Sequence, residues 1–488
     1  MHELPQDNIG NTDKRILWLV AGIILLKLIL LPFSQTVDCD AVERTFFSED
    51  WMNNHIWITN GVWGPFHFYL AGSALAVWNN YVYAPVILNI ILSSIMLLPF
   101  YYFVRREFNS NGALAASFFL SICPIIFRNS MMNMSEAPYL LLLTIALNFL
   151  SRGFKSSKAS DFLLSGLSIT IASGFRFEAW FLIIVLTFIL FTKKQRLNTF
   201  LFFLTAVTYP LIDILTHFIM DHYSLSGFFS NYPWNMQGVS TQPNWDEYLR
   251  RIWFMPLCWV VALGPPVAFI VLREIIFAQK KGSTTHWLTI LFWAFLLLTE
   301  LTAFKGLIIL HARFASTIAL LSIPFIAPYF NILTTKKIRT AFIFGLLTIG
   351  LTFAYNMNNI TPLPRLSDQD GAKVAGIIKK DINNQSGLII DFWGWENTYY
   401  LGLQSNLPTH NIYILNGANS NILQPDDVNV VINTHSQGII LLVKKSLLWQ
   451  NAVITDKHLQ FKFSPLLLNS EEIFSNADVI VLKYTVSG

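Results

Sequence analysis

Two aspartates, in Asp38-Cys39-Asp40, follow the first apolar run of the chain. An ionised carboxylate placed beside a hydroxyl can take its proton as a general base. Aspartate also favours helix starts, so a plain N-cap is the alternative. Glu136 lies in Met134-Ser135-Glu136-Ala137-Pro138-Tyr139, at the head of another apolar run, where a helix dipole welcomes negative charge. Phe175-Arg176-Phe177-Glu178-Ala179-Trp180 sets a base and an acid between two apolar runs. This pair is either functional or an ion pair that ties helices together. Lys305 and then His311-Ala312-Arg313-Phe314 place basic groups ahead of a late apolar run. Arginine grips a phosphate through two hydrogen bonds. Snorkelling to the membrane surface is the alternative for such side chains.

The elements that must position these residues belong to a membrane. Of 488 residues, 53% are hydrophobic and 13% charged, and the mean hydropathy is +0.48. Soluble proteins carry about 25% charged residues. A charge in hydrocarbon costs roughly 2.5–3.5 kcal/mol even on the mildest scale, which accounts for the deficit. The net charge of +4 gives no indication of nucleic acid as a partner. The three cysteines, Cys39, Cys123 and Cys258, have neither disulfide-framework nor metal-site spacing.

Apolar runs occupy Ile16–Phe33, Ala84–Val104, Ala113–Phe127, Ala137–Leu150, Phe162–Phe175, Ala179–Phe191, Phe200–Phe218, Phe254–Leu272, Trp287–Ala303, Phe314–Leu333 and Ala341–Tyr355. They predict about eleven transmembrane helices. The first lacks a small-residue cleavage site and reads as a retained helix. The third to sixth fall short of the ~20 residues of a straight span and must borrow flanking residues.

With the N-terminus in the cytosol, every predicted cytosolic loop receives a basic cluster: Lys14 and Arg15; Arg105 and Arg106; Arg152, Lys155 and Lys158; Lys193, Lys194 and Arg196; Arg273, Lys280 and Lys281; Lys336, Lys337 and Arg339. That is the positive-inside pattern. The same alternation puts loop 34–83, the Arg128–Glu136 turn, the Arg176–Glu178 link, Asp221–Trp253, Phe304–Arg313 and everything after Asn356 outside. All the candidate residues above then share one face. Val42, Phe46 and Phe47, beside Glu43 and Arg44, recur at the spacing of an amphipathic interfacial helix.

After Tyr355 the pattern changes. Pro362 and Pro364 mark a linker. Short apolar runs at Gly387–Ile390, Ile412–Leu415, Gly438–Val443 and Asp478–Leu482 alternate with helix-like stretches at Asp370–Lys380 and Asp426–Ile432. Residues 356–488 therefore read as an extracytoplasmic α/β domain, and 1–355 as the membrane domain. Trp393-Gly394-Trp395-Glu396 is an aromatic group for stacking on a sugar or for packing.

The order D-x-D after the first helix, W-G-P-F-H-F-Y-L at Trp63–Leu70, M-S-E-A-P-Y, R-F-E-A-W and H-A-R-F resembles the GT-C membrane glycosyltransferases. These include the protein O-mannosyltransferases and the aminoarabinose transferases of lipid A. The resemblance runs in order through residues 1–355. It implies inverting transfer of a sugar from a polyprenyl-phosphate carrier to a glycan, lipid or protein acceptor, on the outer face of the cell (inner) membrane. It places the base on Asp40, with Asp38 close by, and the second acid on Glu136. Arg176 and Glu178 match an arginine–aromatic–glutamate element. Arg313 matches a basic residue suited to the carrier phosphate, with His311 and Lys305 beside it. Many relatives follow the aspartate with glutamate. Here Ala41 stands in that place, which leaves open which carboxylate acts. A divalent metal is compatible with the two aspartates and not required by them; no other cofactor is implied. The competing reading is a transporter or flippase of lipid-linked sugars, a class marked by repeats and Gly/Pro-broken helices. The chain shows no repeat.

Overall fold

The computed structural model describes residues 14–31, 39–57, 63–108, 110–220, 245–280, 285–305, 310–330, 336–337, 339–340, 343–347, 350, 369–415 and 425–486. Its first part is helical: α1 (Lys14–Leu30), α2 (Cys39–Asn54), α3 (Phe66–Val77), α4 (Tyr83–Ile95), α5 (Leu97–Glu107), α6 (Ser110–Ser121), α7 (Pro124–Asn129), α8 (Glu136–Ser156), α9 (Ala159–Ser173), α10 (Glu178–Thr192), α11 (Arg196–Ala206), α12 (Thr208–Met220), α13 (Trp245–Leu263), α14 (Pro265–Lys280) and α15 (His286–Phe304). A 3-10 turn, Ala312–Phe314, leads into α16 (Ala315–Ser322) and a 3-10 stretch, Ile323–Phe330.

Among the described residues, five segments are long and apolar enough to cross a membrane: Tyr83–Glu107, Glu136–Ser156, Arg196–Met220, His286–Phe304 and Ala312–Phe330. Shorter apolar helices pack between them. The protein is a helical, multi-pass membrane protein.

Several runs differ from their sequence reading. The fourth does borrow flanking residues, and α8 reaches 21 residues. The fifth and sixth stay at 15 residues each, as α9 and α10. The third breaks before Pro124, whose ring cannot continue a helix but suits the first turn of α7. Phe254–Leu272, one run in the sequence, is two helices. The axes of α13 and α14 differ by 110°. Gly264 between them has φ +79°, and Pro265-Pro266 then opens the new helix. The last run, Ala341–Tyr355, lies largely outside the described residues.

One buried charge escaped the sequence reading. Lys27, inside α1, is 2% exposed. Its Nζ donates to Ser93 Oγ at 2.9 Å and lies 5.4 Å from the centre of the Phe127 ring.

The C-terminal domain is a seven-stranded sheet, ordered β2-β1-β3-β7-β6-β5-β4. The strands are β1 (Gly387–Ile390), β2 (Ile412–Ile414), β3 (Gln437–Val443), β4 (Ala452–Ile454), β5 (His458–Phe461), β6 (Leu467–Ser475) and β7 (Val479–Val486). β1 runs parallel to β2 and β3; β7 and the β4–β6 meander pair antiparallel. Alternation along the strands supplies two apolar faces. Leu388, Ile390, Ile439 and Leu441 meet α17 (Gln369–Asp381) and α18 (Trp395–Ser405), while Ile389 and Ile440 meet α19 (Pro425–Thr434). Trp393 packs against the first of these faces. The expected strands and helices are all present. The meander was not foreseen, because strands such as His458–Phe461 alternate exposed and buried residues and form no apolar run.

Candidate active site

Three segments are brought together by close backbone approach. A Cβ on Gly64 would lie 2.3 Å from the carbonyl oxygen of Gly174, so only glycine lets the first loop rest on the link before α10. The Phe66 N–H donates to that same oxygen at 3.1 Å. The turn before α8 is held from α4: Asn89 Nδ2 donates to the carbonyls of Met132 at 2.6 Å and Met134 at 2.8 Å. Asn133 Nδ2 then reaches Thr45 Oγ1 on α2 at 2.8 Å.

These constraints converge the charged residues. Glu136 and Glu178 each open a helix, where the dipole stabilises a carboxylate. Arg176 bridges them. Its Nη1 is 2.6 Å from Glu136 Oε1, while Nε and Nη2 grip Glu178 in a fork, with Nε 3.0 Å from Oε2. Ser135 Oγ accepts from Arg176 Nη1 at 3.2 Å and from Arg44 Nη1 at 2.8 Å. Across from them Arg313 Nη1 donates to Asp40 Oδ2. His311 Nδ1 accepts the Arg313 N–H at 3.2 Å and so fixes the turn that carries it. The Phe314 ring lies between two guanidinium groups, 5.6 Å from that of Arg176 and 5.7 Å from that of Arg313.

Accessibility separates the acids. The Asp40 side chain is 26% exposed, Glu178 15% and Glu136 2%. Asp40 is the most accessible of the three, whereas Glu136 is enclosed and engaged by Arg176. Burial raises the Asp40 carboxyl, but the Arg313 and Arg44 guanidinium groups outweigh it and hold the group below its usual range. Burial and the neighbouring Asp40 push Glu43 up.

Six residues foreseen from the sequence therefore meet: Asp40, Glu136, Arg176, Glu178, His311 and Arg313. Lys305 is exposed at the end of α15 and joins none of these ion pairs. Asp38 lies outside the described residues. Among the described residues no three His, Cys, Asp or Glu side chains gather as a metal site.

Arg44 was passed over as a site residue. It stands four residues after Asp40, one helical turn along the same face, and that spacing was the available signal. It is 2% exposed. It bonds to Ser135, lies 5.0 Å from the Trp63 ring, and forms no ion pair with a carboxylate of the described residues. Burial pushes its guanidinium down to about 10, still charged at neutral pH. His67, from the Trp63–Leu70 motif, is buried beside Asn133.

By sequence, residues 63–219 match the family described as dolichyl-phosphate-mannose-protein mannosyltransferase. No curated protein matches the chain. By structure, it is similar to ArnT from Cupriavidus metallidurans bound to undecaprenyl phosphate, with a TM-score of 0.66 and 9% identity over 97% of this chain and 98% of that one. The apo state of ArnT from the same organism gives 0.62 and 9%, over 96% and 97%. The archaeal oligosaccharyltransferase AglB from Archaeoglobus fulgidus, in complex with an inhibitory peptide and a dolichol-phosphate, gives 0.51 and 13%, over 87% of this chain and 69% of that one. The chain thus shares its fold with ArnT, from its membrane helices through its C-terminal sheet, and within it residues 63–219 match the dolichyl-phosphate-mannose-protein mannosyltransferase family.

Proposed function

We propose that this protein is a glycosyltransferase acting on the extracytoplasmic face of the cell (inner) membrane. It takes a sugar from a polyprenyl-phosphate donor, inverts the anomeric carbon, and uses Asp40 as general base. The observation that carries this reading is the cluster of Asp40, Arg313 and Arg44. A buried guanidinium costs several kcal/mol unless an anion offsets it; among the described residues Arg44 forms no ion pair, and only the more distant Glu136 and Asp40 carboxylates act on it. A phosphate supplies that anion in the geometry arginine prefers. The acceptor is a glycan, lipid or protein hydroxyl.

The chemistry follows from the positions. The acceptor oxygen bonds to the anomeric carbon opposite the leaving phosphate, and its proton passes to the Asp40 carboxylate. The carbon–phosphate-oxygen bond breaks, and polyprenyl phosphate leaves with the electron pair. Arg313, Arg44 and His311 stabilise the added charge. In the resting protein Arg313 is on Asp40. When the phosphate takes Arg313, Asp40 loses a neighbouring cation and becomes a stronger base. ArnT has been seen with undecaprenyl phosphate and AglB with dolichol-phosphate, ligands of the class proposed here.

The test is incubation of the purified chain with a polyprenyl-phosphate sugar and candidate acceptors. Transfer releases polyprenyl phosphate. A transporter or flippase would leave the donor intact, and that result would remove the enzyme reading. The break at Gly264 is a feature that reading would share.

Two further outcomes are expected. Arg313→Ala weakens donor binding or turnover by roughly 10- to 100-fold, as for a hydrogen bond to a charged group. Arg313→Lys recovers only part of it, because lysine lacks the fork. Wild-type binding and turnover in Arg313→Ala would end its assignment to the phosphate. For orientation, a reporter fused after Arg339 reads cytosolic and one after Gly488 reads external, as the basic clusters require. Both on one side would refute the topology.

A further inference from the structure

The helix that carries Asp40 is held at its other end by the C-terminal domain. Glu49 lies nine residues further along α2, about 13–14 Å along the axis. It is 1% exposed. Its Oε2 accepts the backbone N–H of Thr409 at 2.8 Å, across 360 residues of chain. Asn53 Nδ2 and the Tyr81 hydroxyl meet the same carboxylate, and no lysine or arginine of the described residues forms an ion pair with it. Two neighbouring contacts complete the seat. Asn406 Oδ1 accepts the Tyr81 N–H at 2.9 Å, and the Phe46 ring lies against Gly402.

A buried carboxylate is a costly way to join two surfaces, since it must be fully hydrogen-bonded to be tolerated. Its return is a strong, directional bond, because a charged acceptor roughly doubles the strength of an N–H···O contact. Here the donor is a backbone N–H just ahead of β2, tied to the sheet and unable to rotate away. The bond therefore fixes α2 against a rigid body rather than a mobile side chain. α2 is a continuous helix from Asp40 to Glu49, so a shift at one end appears at the other. Misplacement of a reacting group by 1 Å can cost on the order of 100-fold in rate.

We propose that Glu49 is a positioning residue, through which the C-terminal domain sets the place of Asp40. The proposal rests on Asp40 being the base. The test compares full-length Glu49→Ala, Glu49→Gln and wild type in three measurements: polyprenyl phosphate binding in detergent, restoration of the glycan lost on gene deletion, and hydrogen exchange of the α2 amides. Glu49→Ala is expected to bind polyprenyl phosphate as wild type does, to lose transfer roughly 10- to 100-fold, and to exchange faster along α2. Glu49→Gln keeps an oxygen for the Thr409 N–H and recovers most of the transfer. In an Asp40→Asn background the Glu49→Ala loss largely disappears, because the group being positioned is gone.

Wild-type transfer in Glu49→Ala overturns the proposal, and so does unchanged exchange along α2. Parallel loss of binding, transfer and melting temperature overturns it too, since the contact would then only hold the fold. A full Glu49→Ala penalty on top of Asp40→Asn would show that Glu49 acts elsewhere. If wild type itself fails to bind polyprenyl phosphate, the donor reading falls instead, and α2 exchange alone still decides whether the seat orders this helix.

Discussion

Asp40→Asn is expected to insert, fold and bind polyprenyl phosphate while sugar transfer falls by roughly 100-fold or more, the loss that follows removal of a general base. Asparagine caps a helix about as well as aspartate and has nearly its shape, so a capping role predicts near-normal activity. The geometry adds a second signature. In the resting protein Asp40 occupies Arg313. Without the carboxylate the guanidinium is released to the phosphate, so polyprenyl phosphate binds Asp40→Asn at least as tightly as wild type. That gain should vanish in an Arg313→Ala background, which a double-mutant cycle reads directly. Asp38→Asn is expected to be milder. Full activity in Asp40→Asn beside an inactive Asp38→Asn would move the role to Asp38. Full activity in both would leave Glu136 as the acid to examine.

Arg176→Met is expected to destabilise the protein by about 3–5 kcal/mol, the range for leaving a buried charge without its partner. The substitution keeps most of the side-chain volume but strands Glu136, which is 2% exposed, together with Glu178. Melting in detergent and the amount of folded protein in membranes report it. Glu178→Gln is expected to cost far less, because Arg176 keeps Glu136 and the amide can still accept from it. An Arg176→Met protein as stable as wild type would mean that Glu136 is not held as an anion.

How much of this was readable beforehand depends on range. Apolar composition is a local signal, and it marked the helices of the membrane domain. Asp40, Glu136, Arg176, Glu178, His311 and Arg313 were identifiable because each breaks the apolar pattern at a helix end. Which of them touch was not visible, since pairing spans up to 273 residues. Glu136 was expected as the second acid; its ion pair with Arg176 was not visible in the sequence. Arg44 was read only as the polar side of an amphipathic helix, where an arginine usually faces water; the packing of Trp63 and Ser135 encloses it. The bend after Leu263 was masked by apolar composition on both sides of Gly264, although the Gly-Pro-Pro sequence carried it.

The separation of Asp40 from Arg313 also has a meaning in time. Synthesis at about 5–20 residues per second puts tens of seconds between the two. Ser135 and Arg176, only 41 positions apart, emerge almost together, so their part of the cluster can form while the chain is still on the ribosome. Asp40 must wait at the membrane surface for Arg313, which leads the segment Ala312–Phe330. An interrupted chain then holds an inner ion-pair knot without the arginine that completes the first loop. The last helices to arrive decide whether the first loop becomes a site.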